Sequence, residues 1–414
     1  MRILFLSNFY PPYNQGGYEQ LCREVALLMV ERGHQVAVMT SRGGRVTSED
    51  DGPVRVYRRL ELEVEGGLAS TAAKLLTGGK QRGERNSVAA VEQVVADFNP
   101  DVALVWGMWN VPRVVPATVE CALPTVYYLC DYWPALPDAY IQRLLAPARG
   151  VRSRWAKRLI SAALLRRAAR SAVSPAYRHV ACVSEAIHDI LDARGVDIPG
   201  VTIIRNGISL ADFTHSPREQ PEHFLPLRLV YAGRVTPDKG IDTAIDAVNL
   251  VVARSPGTAH LSIYGDGGAG YIDSLREQVR AKGLPVTFHG YIHRERMPAA
   301  LVGNVALILP SVVAEALPRI MLEAMAAGLV VIGTTTGGTG EVLREGDTGL
   351  TFDAGDAAGL ARQIERLAAD PALRARLAAA GREVVLREFD IGHTVDQLEA
   401  LLCRAARLNE AAAA

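Results

Sequence analysis

The 414-residue chain has little lysine. Lys74, Lys80, Lys157, Lys239 and Lys282 are the only five among 45 basic residues. Its cysteines, Cys22, Cys121, Cys130, Cys182 and Cys403, are odd in number and widely spaced, with no Cys-x-x-Cys pair. That excludes a disulfide framework or a paired-cysteine zinc site and fits a reducing cytoplasm. Net charge is absent, since 45 acidic residues balance the 45 basic ones. The basic excess of a dedicated nucleic-acid binder is therefore missing. No apolar run approaches the roughly 20 residues that span a bilayer. The opening stretch Met1–Leu6 runs straight into Asn8 and Pro11-Pro12, too soon and without the small-residue cleavage site of a secretory signal.

What remains is 49% apolar and 22% charged residues, the balance of a soluble globular enzyme. The length suits two or three domains. Residues 2–7 read as a strand, 8–17 as a Pro/Gly/Asn-rich loop, and 18–32 as an amphipathic helix closed by Gly33. Residues 36–40 then read as a second strand, completing a βαβ unit and implying a parallel sheet covered by helices. Further strands are expected at 102–106, 125–129 and 179–184, with a helix at 88–98. After the polar stretch 216–226 a second series begins, with strands at 227–232, 260–264, 286–289, 305–309 and 330–333. Helices are expected at 241–253 and 318–327, and a last one at 394–408. The chain thus divides into domains at 1–210 and 211–390, followed by a terminal helix, 391–414, that returns to the first domain. Two doubly wound domains predict a cleft between them, with ligands at the carboxyl ends of the strands.

Four stretches carry chemistry. Gly16-Gly17 follows the first strand and opens the first helix, where a backbone can approach an anion closely; an ordinary flexible loop reads equally well. Gly233-Arg234 ends a strand and Lys239-Gly240 precedes the next helix, so a guanidinium fork and an ammonium can converge on a diphosphate. Gly265-Asp266-Gly267-Gly268-Ala269-Gly270 matches G-x-G-x-x-G, but no acid follows the next strand, so it reads as a tight βα turn rather than a dinucleotide site. From Leu309 to Gly328 a strand gives way to a loop with Glu315, then to a helix opened by Pro318 and carrying Glu323. The first-turn N–H groups of that helix can hold a phosphate or a sugar hydroxyl.

The order of these motifs resembles the retaining GT-B glycosyltransferases of family 4, over nearly the whole chain. The matching elements run from Pro11-Pro12 with Gly16-Gly17, through Arg32-Gly33-His34, Asp131-Tyr132-Trp133 and Asn206-Gly207, to Gly233-Arg234 with Lys239-Gly240. They continue with Pro310-Ser311, the pair Glu315 and Glu323 with seven residues between, and Gly337-Gly338 with Glu341. The resemblance implies a nucleotide-diphosphosugar donor in the second domain and a hydroxyl acceptor, a glycan, lipid-linked group or small molecule, in the first. Arg234 and Lys239 would neutralise the diphosphate, and Gly16 and Gly17 would let their loop touch it. Glu323 would hold the ribose, Tyr291 and Ile292 would lie along the base, and Glu315 would grip sugar hydroxyls beside the N–H groups of Ala316 and Leu317. Such enzymes use neither a metal nor a cofactor, and the chain lacks the Asp-x-Asp triplet that anchors metal in the other glycosyltransferase fold.

The chain departs from the family where Cys130-Asp131 replaces His-Asp, which makes Asp131 the first-domain candidate for contacting sugar or acceptor. Between Asp138 and Glu185 there are ten Arg or Lys residues and no acid. This basic run, 143–170, suits a solvated helix face, an anionic acceptor or peripheral contact with a membrane. The expected location is the cytoplasm, at the inner face of the membrane. The competing classes are a GT-B sugar-nucleotide epimerase or phosphorylase, and a non-catalytic nucleotide-sugar sensor. A phosphorylase would want a cofactor lysine, which the few lysines do not supply. A sensor would lack the cations or glutamates, all of which are present.

Overall fold

The computed structural model describes residues 1–13, 16–42, 48–63, 68–137, 139–145, 174–213 and 225–413. Most of the basic run 143–170, and the polar stretch 216–226 up to residue 224, lie outside the described residues. The chain forms two domains. The first comprises Met1–Val183, Ile187–Ile204 and Val395–Ala414, and the second Ser184–Ala186 and Arg205–Thr394.

The first domain is built on a sheet of β1 (Arg2–Leu6), β2 (Gln35–Ser41), β3 (Ser48–Asp51), β4 (Val54–Leu60), β5 (Val102–Val105), β6 (Thr125–Leu129), β7 (His179–Cys182) and β8 (Thr202–Ile203). Their spatial order is β3-β4-β2-β1-β5-β6-β7-β8. Every pairing is parallel except β3 with β4. Parallel strands buried on both faces read as unbroken apolar runs. β5 and β6 do so, with every residue buried. The helix Gly17–Glu31 follows β1 and buries Leu21, Cys22, Val25, Ala26 and Met29. Beyond its C-cap Arg32, Gly33 takes φ 86° and its N–H bonds the carbonyl of Val30 at 2.8 Å, closing the helix as the sequence predicts.

The second domain repeats the plan with β9 (Leu227–Ala232), β10 (Ala259–Tyr264), β11 (Val286–Gly290), β12 (Ala306–Leu309), β13 (Val330–Gly333) and β14 (Leu350–Thr351). Their order is β11-β10-β9-β12-β13-β14, all parallel. The apolar faces of the helices Ile241–Arg254 and Ala357–Ala369 join this sheet in one core.

The division differs from a linear cut in two places. Ser184–Ala186 belongs to the second domain, where the Ala186 N–H donates to Glu341 Oε1 at 3.1 Å. The final helix, Ile391–Ala413, joins the first domain from Val395 onward. There Glu399 accepts from Arg32 at 2.7 Å and pairs with His34 at 2.9 Å.

Each sheet reverses its strand order once near its middle: β2-β1-β5 in the first domain and β10-β9-β12 in the second. Adjacent loops leave in opposite directions at such a switch point and open a crevice outside the carboxyl ends of the strands. In the first domain those loops start at Ser7 and at Trp106. In the second they are Gly233–Gly240 and Pro310–Pro318. Arg234, Lys239 and Glu315 fall on the second domain's loops, Gly16 and Asp131 on loops of the first, while Gly17 and Glu323 lie in the helices that follow.

Candidate active site

In the second domain the loop after β9 turns sharply at Gly233 and reaches a short 3-10 turn, Pro237–Lys239, capped by Gly240. Gly240 has φ 66°, and a Cβ on it would lie 2.0 Å from the carbonyl oxygen of Pro310. Only glycine lets the two switch-point loops approach this closely. The Val312 N–H then donates to the carbonyl of Asp238 at 3.0 Å, joining the loops directly. The result is a meeting of side chains: Lys239 Nζ lies 2.5 Å from Glu315 Oε1. Ser311 Oγ donates to the same oxygen, and Ser311 is buried.

The Glu315 backbone is fixed as well. Its carbonyl accepts from Gly338 N–H at 2.7 Å, and its N–H reaches the carbonyl of Thr336 at 3.3 Å. Thr334 and Thr336 donate to the carbonyls of Ser311 and Val313 at 2.8 and 3.0 Å. Ala316 and Leu317 are buried behind Glu315, and buried Asn206 donates to the Leu317 carbonyl at 3.0 Å. The helix Arg319–Ala326 begins immediately afterwards, with Pro318 as its N-cap. With two donors on one oxygen, Glu315 still has acceptor positions on its carboxylate for hydroxyl groups.

Glu323 lies inside that helix, its side chain 3% exposed, and pairs through Oε1 with Arg294 at 2.5 Å. Arg294 opens the 3-10 turn after the loop Tyr291–His293. Tyr291 is exposed and meets His293 edge-on, while Ile292 is half-buried. Arg234 is exposed and lies 3.7 Å from Asp238, a loose pair that leaves the guanidinium accessible. The G-x-G-x-x-G stretch forms a tight turn between β10 and the helix Ala269–Lys282, as its sequence context predicts. Gly265 has φ 138°, and a Cβ there would sit 1.7 Å from the Gly233 carbonyl. The segment runs against the loop after β9, with the Val235 N–H bonded to the Asp266 carbonyl at 2.8 Å.

In the first domain, Gly16 is the N-cap of the helix Gly17–Glu31 and Glu19 lies in its first turn. The loop before it is pinned by Arg58, whose guanidinium donates to the carbonyls of Pro11 and Tyr10 at 2.6 and 3.3 Å and pairs with Glu49. Asp51 takes part from below, accepting from Tyr10 Oη at 3.0 Å and from Arg23 at 2.6 Å. Asn8, buried at the end of β1, donates its N–H to the Gly107 carbonyl at 2.7 Å across the switch point. Asp131 follows β6. Its Oδ1 accepts the Trp133 N–H at 2.7 Å. Burial pushes its carboxyl up to about 7, with nearby Glu19 adding to the rise, against the hydrogen bonds from Trp133 and the Trp109 side chain. The preceding Cys130 thiol is buried and pushed well up for the same reason, so it is no nucleophile.

The structure therefore brings Lys239 and Glu315 together, places Arg234 on the same loop, and joins Glu323 to Arg294. It sets Gly16, Gly17 and Asp131 in the first domain. Sequence reasoning missed Arg294, Arg58 and Asn8 as site-building residues. Ser311 was visible only as part of a matched motif. Among the described residues no group of three or more His, Cys, Asp or Glu could hold a metal ion. No helix among them is long and apolar enough to cross a membrane.

Two parallel-sheet α/β domains, each with its residues of interest at a switch point, define the GT-B class of fold. Residues 16–207 match the glycosyl transferase 4-like domain model and residues 226–370 the model for glycosyl transferases group 1. The chain belongs to this family of glycosyltransferases. It is 32% identical over 213 residues to glycogen synthase of Mycobacterium tuberculosis, a stretch covering 51% of this chain and 50% of that protein. The chain thus matches about half the length of that relative. It is 25% identical over 360 residues to the phosphatidyl-myo-inositol mannosyltransferase of Mycobacterium leprae, covering 81% of this chain and 92% of that one. Among solved structures, Anabaena HepE in complex with UDP-glucose superposes with a TM-score of 0.67 at 20% identity, covering 98% of this chain and all of that one.

Proposed function

We propose that the protein transfers a sugar from a nucleotide-diphosphosugar to an acceptor hydroxyl, retaining the anomeric configuration and needing no divalent metal. The observation that carries this reading is the Lys239–Glu315 pair, 2.5 Å apart between the two loops of the second domain's switch point. There an ammonium and a sugar-gripping carboxylate stand together. In this reading Arg234 and Lys239 hold the diphosphate, and the first turn of the helix Arg319–Ala326 adds its N–H groups. Glu323 takes the ribose and Tyr291 with Ile292 flank the base.

The bond from the anomeric carbon to the diphosphate oxygen breaks, and negative charge gathers on the leaving group where the two cations lie. The acceptor oxygen bonds to the anomeric carbon from the same face, and its proton leaves with the diphosphate. Glu315 fixes the ring through its hydroxyls and favours the positive charge that develops at the anomeric carbon. In the same reading Gly16 and Gly17 are proposed to let their loop touch the diphosphate, and Asp131 to contact sugar or acceptor. The HepE complex with UDP-glucose supports a nucleotide-sugar donor. The basic run 143–170 is proposed to meet an anionic acceptor or membrane surface.

The test is a thermal-shift panel of UDP-, GDP-, ADP- and dTDP-hexoses, followed by turnover with the donor that stabilises most. Turnover that persists in EDTA, with the product's anomeric configuration matching the donor's, is expected. Loss of turnover in EDTA restored by Mg²⁺ or Mn²⁺ would remove the metal-free reading, and an inverted product would remove retention.

A further inference from the structure

We propose that Arg294 is the positioning residue for Glu323, and that the pair makes the protein select a ribonucleoside over a 2′-deoxyribonucleoside diphosphate. This rests on the donor reading above and deepens it. Glu323 lies in a helix segment that is buried from Met321 to Ala326. A carboxylate there is costly unless matched by charge and hydrogen bonds. Arg294 supplies both, at 2.5 Å from Oε1, and its own side chain is 23% exposed. The guanidinium arrives from the loop that follows β11 directly after Tyr291, Ile292 and His293, the segment read as flanking the base.

The geometry fixes what the carboxylate can still do. An ionised carboxylate has about four acceptor positions, and an Arg294 guanidinium nitrogen takes up one of those on Oε1. The pair ties the carboxylate to the loop after β11 and leaves its other acceptor positions for a ligand. Vicinal hydroxyls of a ribose can fill such positions. A 2′-deoxyribose has one donor fewer and leaves a buried acceptor unmatched, which is the arrangement that discriminates most strongly against a missing hydroxyl. Without Arg294 the carboxylate loses its fixed direction, and the discrimination should go with it.

The experiment is isothermal titration of the full chain with UDP, GDP and ADP, and then with the 2′-deoxy form of whichever binds. The wild type should prefer the ribonucleotide. Arg294→Gln should weaken the ribonucleotide at least about tenfold while changing the deoxynucleotide much less, so that the preference collapses. Arg294→Lys should recover part of it. In turnover, Arg294→Gln should raise donor KM with little change in kcat, because a ribose contact is the same in ground and transition states. A ribo-to-deoxy ratio unchanged in Arg294→Gln, even with both affinities lowered, would overturn the inference and leave Arg294 a structural residue. Should that variant fail to fold by circular dichroism, the ratio in Arg294→Lys decides in the same way. Wild-type binding to none of the three diphosphates would instead overturn the donor reading, and this inference with it.

Discussion

The two domains share a plan and hold their functional groups differently. In the second, charge meets charge: Lys239 with Glu315, Arg294 with Glu323, and Arg234 loosely with Asp238. In the first, Asp131 is held by the Trp133 backbone N–H and the Trp109 side chain rather than by a cation. Paired groups in a shaped loop are pre-organised for a charged ligand and need little rearrangement when charge develops. A half-buried carboxyl beside another acid answers instead to pH. The second domain thus presents paired charges, and the first a group whose charge changes near neutrality.

The largest effect should come from breaking the paired site. Lys239→Ala is expected to cost roughly 2–4 kcal/mol of transition-state stabilisation, a fall of about 30- to 900-fold in kcat, since leaving-group charge grows as the bond breaks. Glu315→Gln keeps the Ser311 and Lys239 hydrogen bonds to its oxygen yet loses the negative charge, and should also lower kcat strongly. Glu323→Gln should chiefly raise donor KM. Steady-state kinetics of the three variants check this, and the reverse split between the two glutamates would exchange their roles.

Next in size is a backbone effect. Gly265→Ala would drive a Cβ into the Gly233 carbonyl, at 1.7 Å, and hold a side-chain residue at φ 138°. A loss of about 2–3 kcal/mol of stability in the second domain is expected, from overpacking and strain together. Chemical denaturation measures it. The matched control Gly268→Ala, where a Cβ meets nothing within 4 Å, should be nearly neutral. Equal effects at the two positions would show that the close approach does not govern this turn.

These particulars also explain what the sequence could reveal. Strands β6, β9 and β13 fall where the apolar runs place them, because central parallel strands are buried on both faces and leave a continuous signal. β3 is Ser-Glu-Asp-Asp, an antiparallel partner of β4 with half-exposed residues, and no apolar pattern could mark it. β8 and β14 are two residues each, too short for any periodicity. Lys239 and Glu315 were legible as motif residues, but not their contact, which depends on Gly240 packing against a loop 70 residues later. Arg294 and Arg58 were illegible for a different reason. In a chain with 40 arginines nothing local separates a site-building guanidinium from a solvated one.

The first domain's counterpart is a pH effect. The Asp131 carboxyl is raised to about 7 in the folded protein, above its ordinary value of 3.8. Between those values the folded state holds a proton that the unfolded state has released, so stability must fall as pH rises through this window. Asp131→Asn keeps an oxygen for the Trp133 N–H and carries no charge. A rise from 3.8 to about 7 is worth at most about 4 kcal/mol, and water reaching the half-buried carboxyl reduces it, so the variant should match the wild type near pH 4 and exceed it by about 1–2 kcal/mol at pH 8. Thermal melts across pH 4–8 test this, and parallel curves for the two proteins would place the titration elsewhere.

The smallest effect should come from the terminal helix. Glu399 pairs with Arg32 and with His34, and these bonds, the Arg32 one foremost, hold its carboxyl below the usual range. A lowered carboxyl contributes stability above its unfolded value, and that stability is lost as pH falls through its folded value. Glu399 and its partners are partly exposed, so solvent screens the pairs and their combined worth should be under about 1 kcal/mol. Glu399→Gln is therefore expected to lower the melting temperature slightly at pH 7, and by less as falling pH protonates the wild-type carboxylate. The gap should also shrink in high salt, as a screened surface pair requires. A gap that survives both acid and salt would mean that the helix is held by its buried Val395, Leu398 and Leu402, with Glu399 contributing shape rather than charge.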